Sequence, residues 1–226
     1  MIHILKYLDE ILEALERYIE DTSGEAASKA KGLLQVIGNG NFILALKCML
    51  SVILPLENLN SAVQSRSVSV SSVIASMKLV KDNLLSLRCD DKFKVIFDDT
   101  LTLCTELDVA VPEAPRTRRP PKRFSGSADP HVWTSSADYF KVQYYNFIDT
   151  AVTALDKRYN QEGLHKYVAL ENLLRESTTS EVVTRQVLDD YPEIDTDHFM
   201  VQIAMARQQQ WEMSSVCVVA DKLETA

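Results

Sequence analysis

Glycine is scarce in this chain, six in 226 residues, and the two closest together sit in one turn-like run, Gly38-Asn39-Gly40. With so few glycines and few alternating β-branched stretches, hairpins and sandwiches lack the turn chemistry they need, and helices with short connections are favoured. Cysteine is rarer still. Cys48, Cys89, Cys104 and Cys217 form no C-x-x-C pair and have no histidine three to five residues away, so the usual zinc spacings are excluded. Basic residues are outnumbered, 24 against 32 acidic, for a net charge of −8. A surface of that sign repels phosphates over most of its area, which argues against a general nucleic-acid binder.

Signature motifs of common enzyme classes are missing too. No G-x-S-x-G nucleophile elbow and no H-E-x-x-H occurs, and Gly38-Asn39-Gly40-Asn41 lacks the Lys-Ser/Thr of a phosphate loop. The longest apolar stretch, Phe42 to Leu56, carries Lys47 and Pro55 and is shorter than the about 20 residues that span a bilayer. A buried core helix is expected there, and no membrane contact. Met1 leads straight into an amphipathic pattern rather than a secretory leader, so an intracellular, reducing setting is expected.

What the chain does have is helical periodicity. Leu5, Leu8, Leu12, Leu15 and Ile19 predict a helix over 2–20. Thr22-x-x-Glu25 reads as a capping box starting a second helix that ends near Gly38. A third is expected from Phe42 to Gln64, bent at Pro55, and a fourth from Val68 to Leu87 with Val70, Val73, Ile74, Met77, Val80, Leu84 and Leu87 on one stripe. A fifth covers Phe93 to Leu107. From Val109 to Ser136 the pattern breaks into a stretch with five of the seven prolines and no helical period. Beyond it, Ser135-x-x-Asp138 caps an aromatic-rich helix reaching Tyr159, and shorter helices follow over 163–175, 181–188 (behind Thr178-x-x-Glu181) and 197–210. Residues 214–223 suit a helix or a short strand. The expectation is an all-α fold, an irregular helical bundle, with an N-terminal part over 1–108, a basic proline-rich linker or long loop over 109–136, and a C-terminal part over 137–226.

Three carboxylate doublets, Asp90-Asp91, Asp98-Asp99 and Asp189-Asp190, are the first candidates for metal chemistry. Successive side chains on a helix point about 100° apart, so a doublet does not converge on one ion. Solvated faces and helix-end charges are the expected reading. His3, His131, His165 and His198 have no nucleophile motif beside them and read as surface or half-buried imidazoles. No cofactor and no small-molecule substrate are expected.

The sharpest local feature is Arg116-Thr117-Arg118-Arg119-Pro120-Pro121-Lys122-Arg123, whose positive charges are Arg116, Arg118, Arg119, Lys122 and Arg123. Three readings stay open: a nuclear-import signal, a weak, non-specific and salt-dependent nucleic-acid contact, or a solvated linker.

The order of features also resembles a known family. Leu59-Asn60-Ser61-Ala62-Val63-Gln64-Ser65-Arg66, then Leu79 to Arg88, then an acidic helix with Cys104, then the basic linker, is similar to the helical region of hAT-superfamily transposases and their domesticated relatives, especially the subgroup of MYM-type zinc-finger-like proteins. Tyr139 to Asp149, continuing through Leu155-Asp156-Lys157-Arg158-Tyr159, extends the likeness, as do Ala30 to Leu34 and Tyr191 to Asp195. The resemblance implies the helical domain that such transposases insert into an RNase H-like catalytic fold. None of the aspartates or glutamates here matches the family's catalytic triad, and Trp133 and Trp211 do not align with its DNA-contacting tryptophan. No site residue carries over. The implied function is a non-catalytic interaction module with a protein partner or self-association, located in the nucleus or otherwise the cytoplasm. The alternative is a piece of a DNA transposase whose carboxylates lie outside this chain.

Overall fold

The computed structural model describes residues 1–64, 69–116, 133–159, 161–175 and 180–208. Among them the chain is all-α: α1 Ile2–Lys6, α2 Leu8–Asp21, α3 Glu25–Ile37, α4 Gly40–Val63, α5 Val70–Leu87, α6 Asp90–Glu106, α7 Ser136–Tyr159, α8 Glu162–Arg175, α9 Glu181–Leu188 and α10 Thr196–Gln208. Residues 214–223, ambiguous in the sequence, lie outside the described residues.

The helix expected over 2–20 is two helices. Tyr7 leaves the helical region (φ −114°, ψ 29°), and its ring stacks on His3 with Lys6 Nζ 4.9 Å from its centroid. Periodicity cannot register a one-residue break, because Leu5, Leu8 and Leu12 still share a core on either side of it. The cap expected for the second helix does not form. Thr22 turns its hydroxyl back to the carbonyl of Tyr18 at the end of α2, and Gly24, at φ 78°, starts α3 with no side-chain cap. At α9 the cap is Ser180, whose Oγ accepts from Val183 N–H at 3.3 Å. Thr178, expected there, is outside the described residues. The box at α7 forms as read: Asp138 N–H donates to Ser135 Oγ (3.1 Å), and Ser135 Oγ donates to Asp138 Oδ2 (2.8 Å).

By internal contacts the chain forms two compact units. Unit 1 is Met1–Pro55 with Leu84–Ala151, and unit 2 is Leu56–Asn83 with Val152–Ala226. The division follows neither edge of the basic stretch, and each unit draws on chain from both sides of it.

In unit 1 a cluster of Leu8, Leu12, Ile43 and Cys104 is buried, with Leu34, Ile37, Leu103, Leu107 and Val109 packed against it. Ile43 and Val52 are 0% exposed and Leu44 1%. Burying each such side chain contributes about 1.5–3 kcal/mol. Helix α4 runs 24 residues, so it is long and apolar enough to cross a membrane, unlike the shorter window read from the sequence. Only 28% of its apolar window is buried, with Ile43 in the unit 1 cluster and Leu44, Leu46, Cys48 and Val52 also buried. The stripe on α5 emerges as read: Leu84 is fully buried and the other six are partly buried, while Leu79, off the stripe, is 71% exposed.

The start of the proline-rich stretch is built into unit 1. Asn39 bridges Ala110, Gly40 N–H donates to Ala110 O (2.8 Å), and Asn41 clasps the backbone of Glu113, accepting at Oδ1 (2.8 Å) and donating from Nδ2 (3.2 Å). Pro112 is buried beneath. A Cβ on Gly40 would stand 2.5 Å from Ala110 O and 2.7 Å from Pro112 N, so this approach requires glycine. Ala114 N–H then donates to Ser136 Oγ at 3.1 Å, closing the far end of the stretch onto its beginning. The two described ends of what composition marked as a linker or loop are therefore held beside each other in unit 1.

Candidate functional site

Helices α4 and α7 bound an apolar groove within unit 1, of about 230 Å³. Leu44, Cys48 and Met49 line it from α4, and Tyr139, Phe140 and Phe147 from α7. On α4 these positions recur one helical turn apart, and on α7 Tyr139, Phe140, Gln143 and Phe147 do the same, so two stripes face one trough. Its wall is satisfied internally: Tyr144 Oη and Ser51 Oγ share a hydrogen bond of 2.9 Å. Burial pushes the Cys48 thiol up to about 12, so it is a neutral, inert lining group. Burial also raises the Tyr144 phenol, against the lowering effect of Ser51. Met49, 40% exposed, is an adaptable apolar side chain at the edge of the trough. Such a lining has apolar area and shape to offer, but no acid, base or nucleophile.

One member of each carboxylate doublet is in an ion pair. Asp90 and Asp91 occupy the first turn of α6, where negative charge favours the helix dipole. Asp90 accepts from Tyr145 Oη at 2.6 Å and from Lys141 Nζ at 3.2 Å. These partners hold its carboxyl below the usual 3.8, the Tyr145 bond first and Lys141 second. Burial and then the bond to Asp90 raise the Tyr145 phenol well above its usual range. Arg88 lies 4.9 Å from the Tyr145 ring centre and pairs with Asp149 at 3.0 Å. Asp99 pairs with Lys47, and in unit 2 Asp190 pairs with Lys166 at 2.8 Å. Among the described residues no three histidine, cysteine or acidic side chains come together to hold a metal ion. His3, His165 and His198 are exposed, and His131 lies outside the described residues.

Of the five basic residues singled out in the sequence, Arg116 is exposed and outside any helix, beyond the clasp at Glu113. Arg118, Arg119, Lys122 and Arg123 lie outside the described residues. The groove was not read from the sequence. Its signal was the aromatic density of α7, where Tyr139, Phe140, Tyr144, Tyr145 and Phe147 are more than one buried stripe accommodates.

No family model matches this chain, and no solved structure matches it.

Proposed function

We propose that this chain is a non-catalytic helical interaction module of a truncated or domesticated hAT-type transposase, taking an apolar side chain of a protein partner in the α4–α7 groove. The groove carries the reading: it is walled by Met49 and aromatic rings, the side chains that dominate binding energy at protein interfaces. The transposase origin draws support from the resemblance, whose segments lie at the end of α4, the end of α5 and along α7. In this reading the protein works in the nucleus, with Arg116, Arg118, Arg119, Lys122 and Arg123 as an import signal or a weak phosphate contact.

The test uses Met49→Asp, at a position that is 40% exposed. Partners captured by the wild-type chain are to be re-measured as purified proteins. Binding that weakens at least tenfold in the variant, with an unchanged far-UV circular dichroism spectrum, is the expected result. Reproducible Mg²⁺- or Mn²⁺-dependent DNA strand cleavage by the purified chain overturns the non-catalytic reading and favours a transposase piece.

A further inference from the structure

We propose that the chain stays folded as a two-fragment complex when its backbone is cut between Arg116 and Trp133. Three observations carry this. The ends of the segment are already held together, by Ala114 N–H on Ser136 Oγ and by the clasp of Asn41 on Glu113, so the covalent link is not what keeps them adjacent.

The second observation concerns unit 1, which is built across the cut. The part before it supplies Ser51, Arg88, Asp90 and Phe93. The part after it supplies Tyr144, Tyr145, Lys141 and Asp149. Tyr144 bonds Ser51 and packs its ring 5.9 Å from that of Phe93, and Tyr145 and Lys141 both reach Asp90. Tyr144 is 2% exposed and Ile148 0%, so the later fragment contributes core and not merely a covering.

The third is that unit 2 is built across the same cut. Lys81 donates to both oxygens of Asp156, at 2.7 and 2.8 Å, and Ser71 N–H donates to Glu171 Oε2 at 2.8 Å, with Glu171 1% exposed. Two separate sets of contacts, one in each unit, thus join the same two fragments. Losing one covalent tether costs association entropy once, while two units oppose separation. Hydrolysis adds one water across a peptide bond, leaving a new carboxylate and a new ammonium in place of one amide.

The experiment places a single recognition sequence for a site-specific protease after Gly126 in the full-length chain. After complete cleavage, verified on a denaturing gel, the product at micromolar concentration is expected to elute at the volume of the uncut chain. It should keep at least nine-tenths of its helical circular dichroism. Separation into two fragments, aggregation, or loss of the helical signal overturns the proposal. Should the insertion itself prevent folding, fragments 1–126 and 127–226 are refolded together from denaturant. Recovery of a one-to-one complex supports the proposal, and failure to form one overturns it.

Discussion

In unit 1 the buried set is nearly all apolar, and the polar groups within it have partners: Thr100 donates to Ile96 O at 2.7 Å, and Tyr144 meets Ser51. Unit 2 buries Leu59, Leu155, Leu173, Leu188 and Ile203, but also the carboxylate of Glu171. Glu171 Oε1 and Tyr191 Oη are the buried side-chain atoms without a partner among the described residues, and both belong to unit 2. An unsatisfied buried polar atom costs about 1–3 kcal/mol, so unit 2 gives back part of what its leucines contribute. Among the described residues unit 1 also buries more apolar side chains, so the two units differ both in apolar content and in how completely each pairs its polar atoms.

The largest expected effect breaks unit 1 where its close approach is tightest. Gly40→Ala forces a methyl group into Ala110 O and Pro112 N, both backbone or ring atoms that cannot swing away. A loss of about 1–3 kcal/mol or more is expected in urea denaturation, with a Cys104 thiol that becomes accessible to labelling as the neighbouring core loosens. A wild-type midpoint for Gly40→Ala would show that the strap at 110–113 is not held as described.

Glu171 sharpens the comparison from the other side. Its Oε2 accepts the Ser71 N–H in the first turn of α5, so Glu171→Ala removes that acceptor and is expected to cost about 1–3 kcal/mol. Glu171→Gln keeps an acceptor oxygen in place and should recover most of that loss. If the alanine variant is as stable as wild type, the carboxylate contributes nothing net to unit 2.

The smallest effect is a pH dependence in unit 1. Asp90 has a lowered pKa in the fold, so its contribution is present above its usual value of 3.8 and is lost as the pH falls through the lowered one. Tyr145 has a raised pKa, so its contribution is present below its usual 10.0 and is lost as the pH rises through the raised one. The bond between them therefore stabilises the fold across the window from about pH 4 to about pH 10. The midpoint difference between wild type and Tyr145→Phe should be greatest near neutrality and shrink towards both ends. A difference that stays constant from acid to alkali would mean that lost ring packing, not the hydrogen bond, is what the variant measures.

The all-α class and most helices were legible because their apolar spacing is dictated by the period of the helix itself. The α5 stripe is the clearest case, with the seven residues named from spacing turned inward and Leu79 turned out. Caps were less legible. Ser135 was found, but Thr22 was taken up by the end of α2, and α9 starts from Ser180, two residues beyond the threonine that the pattern favoured. At α3 no side chain caps the helix, and at α9 the capping hydroxyl is the one directly before the first helical residue, which the four-residue box pattern does not pick out. The turn Gly38-Asn39-Gly40 was visible, but not that Asn39, Gly40 and Asn41 reach some 70 residues along the chain to hold Ala110 and Glu113. The groove was illegible for the same reason, since it exists only where residues 44–49 meet residues 139–147.

The hydrogen bond between Ala114 and Ser136 also bears on how this sequence is free to change over time. For any flexible chain held at two neighbouring points, closure entropy grows only with the logarithm of the length between them. Doubling the number of residues between those points costs about 0.6 kcal/mol, less than removing one buried methyl group from the core. Insertions and deletions should therefore accumulate between residues 115 and 135 in diverging copies of the sequence, while Asn39-Gly40-Asn41 and Ser136, which set where the loop begins and ends, hold their spacing to the helices around them.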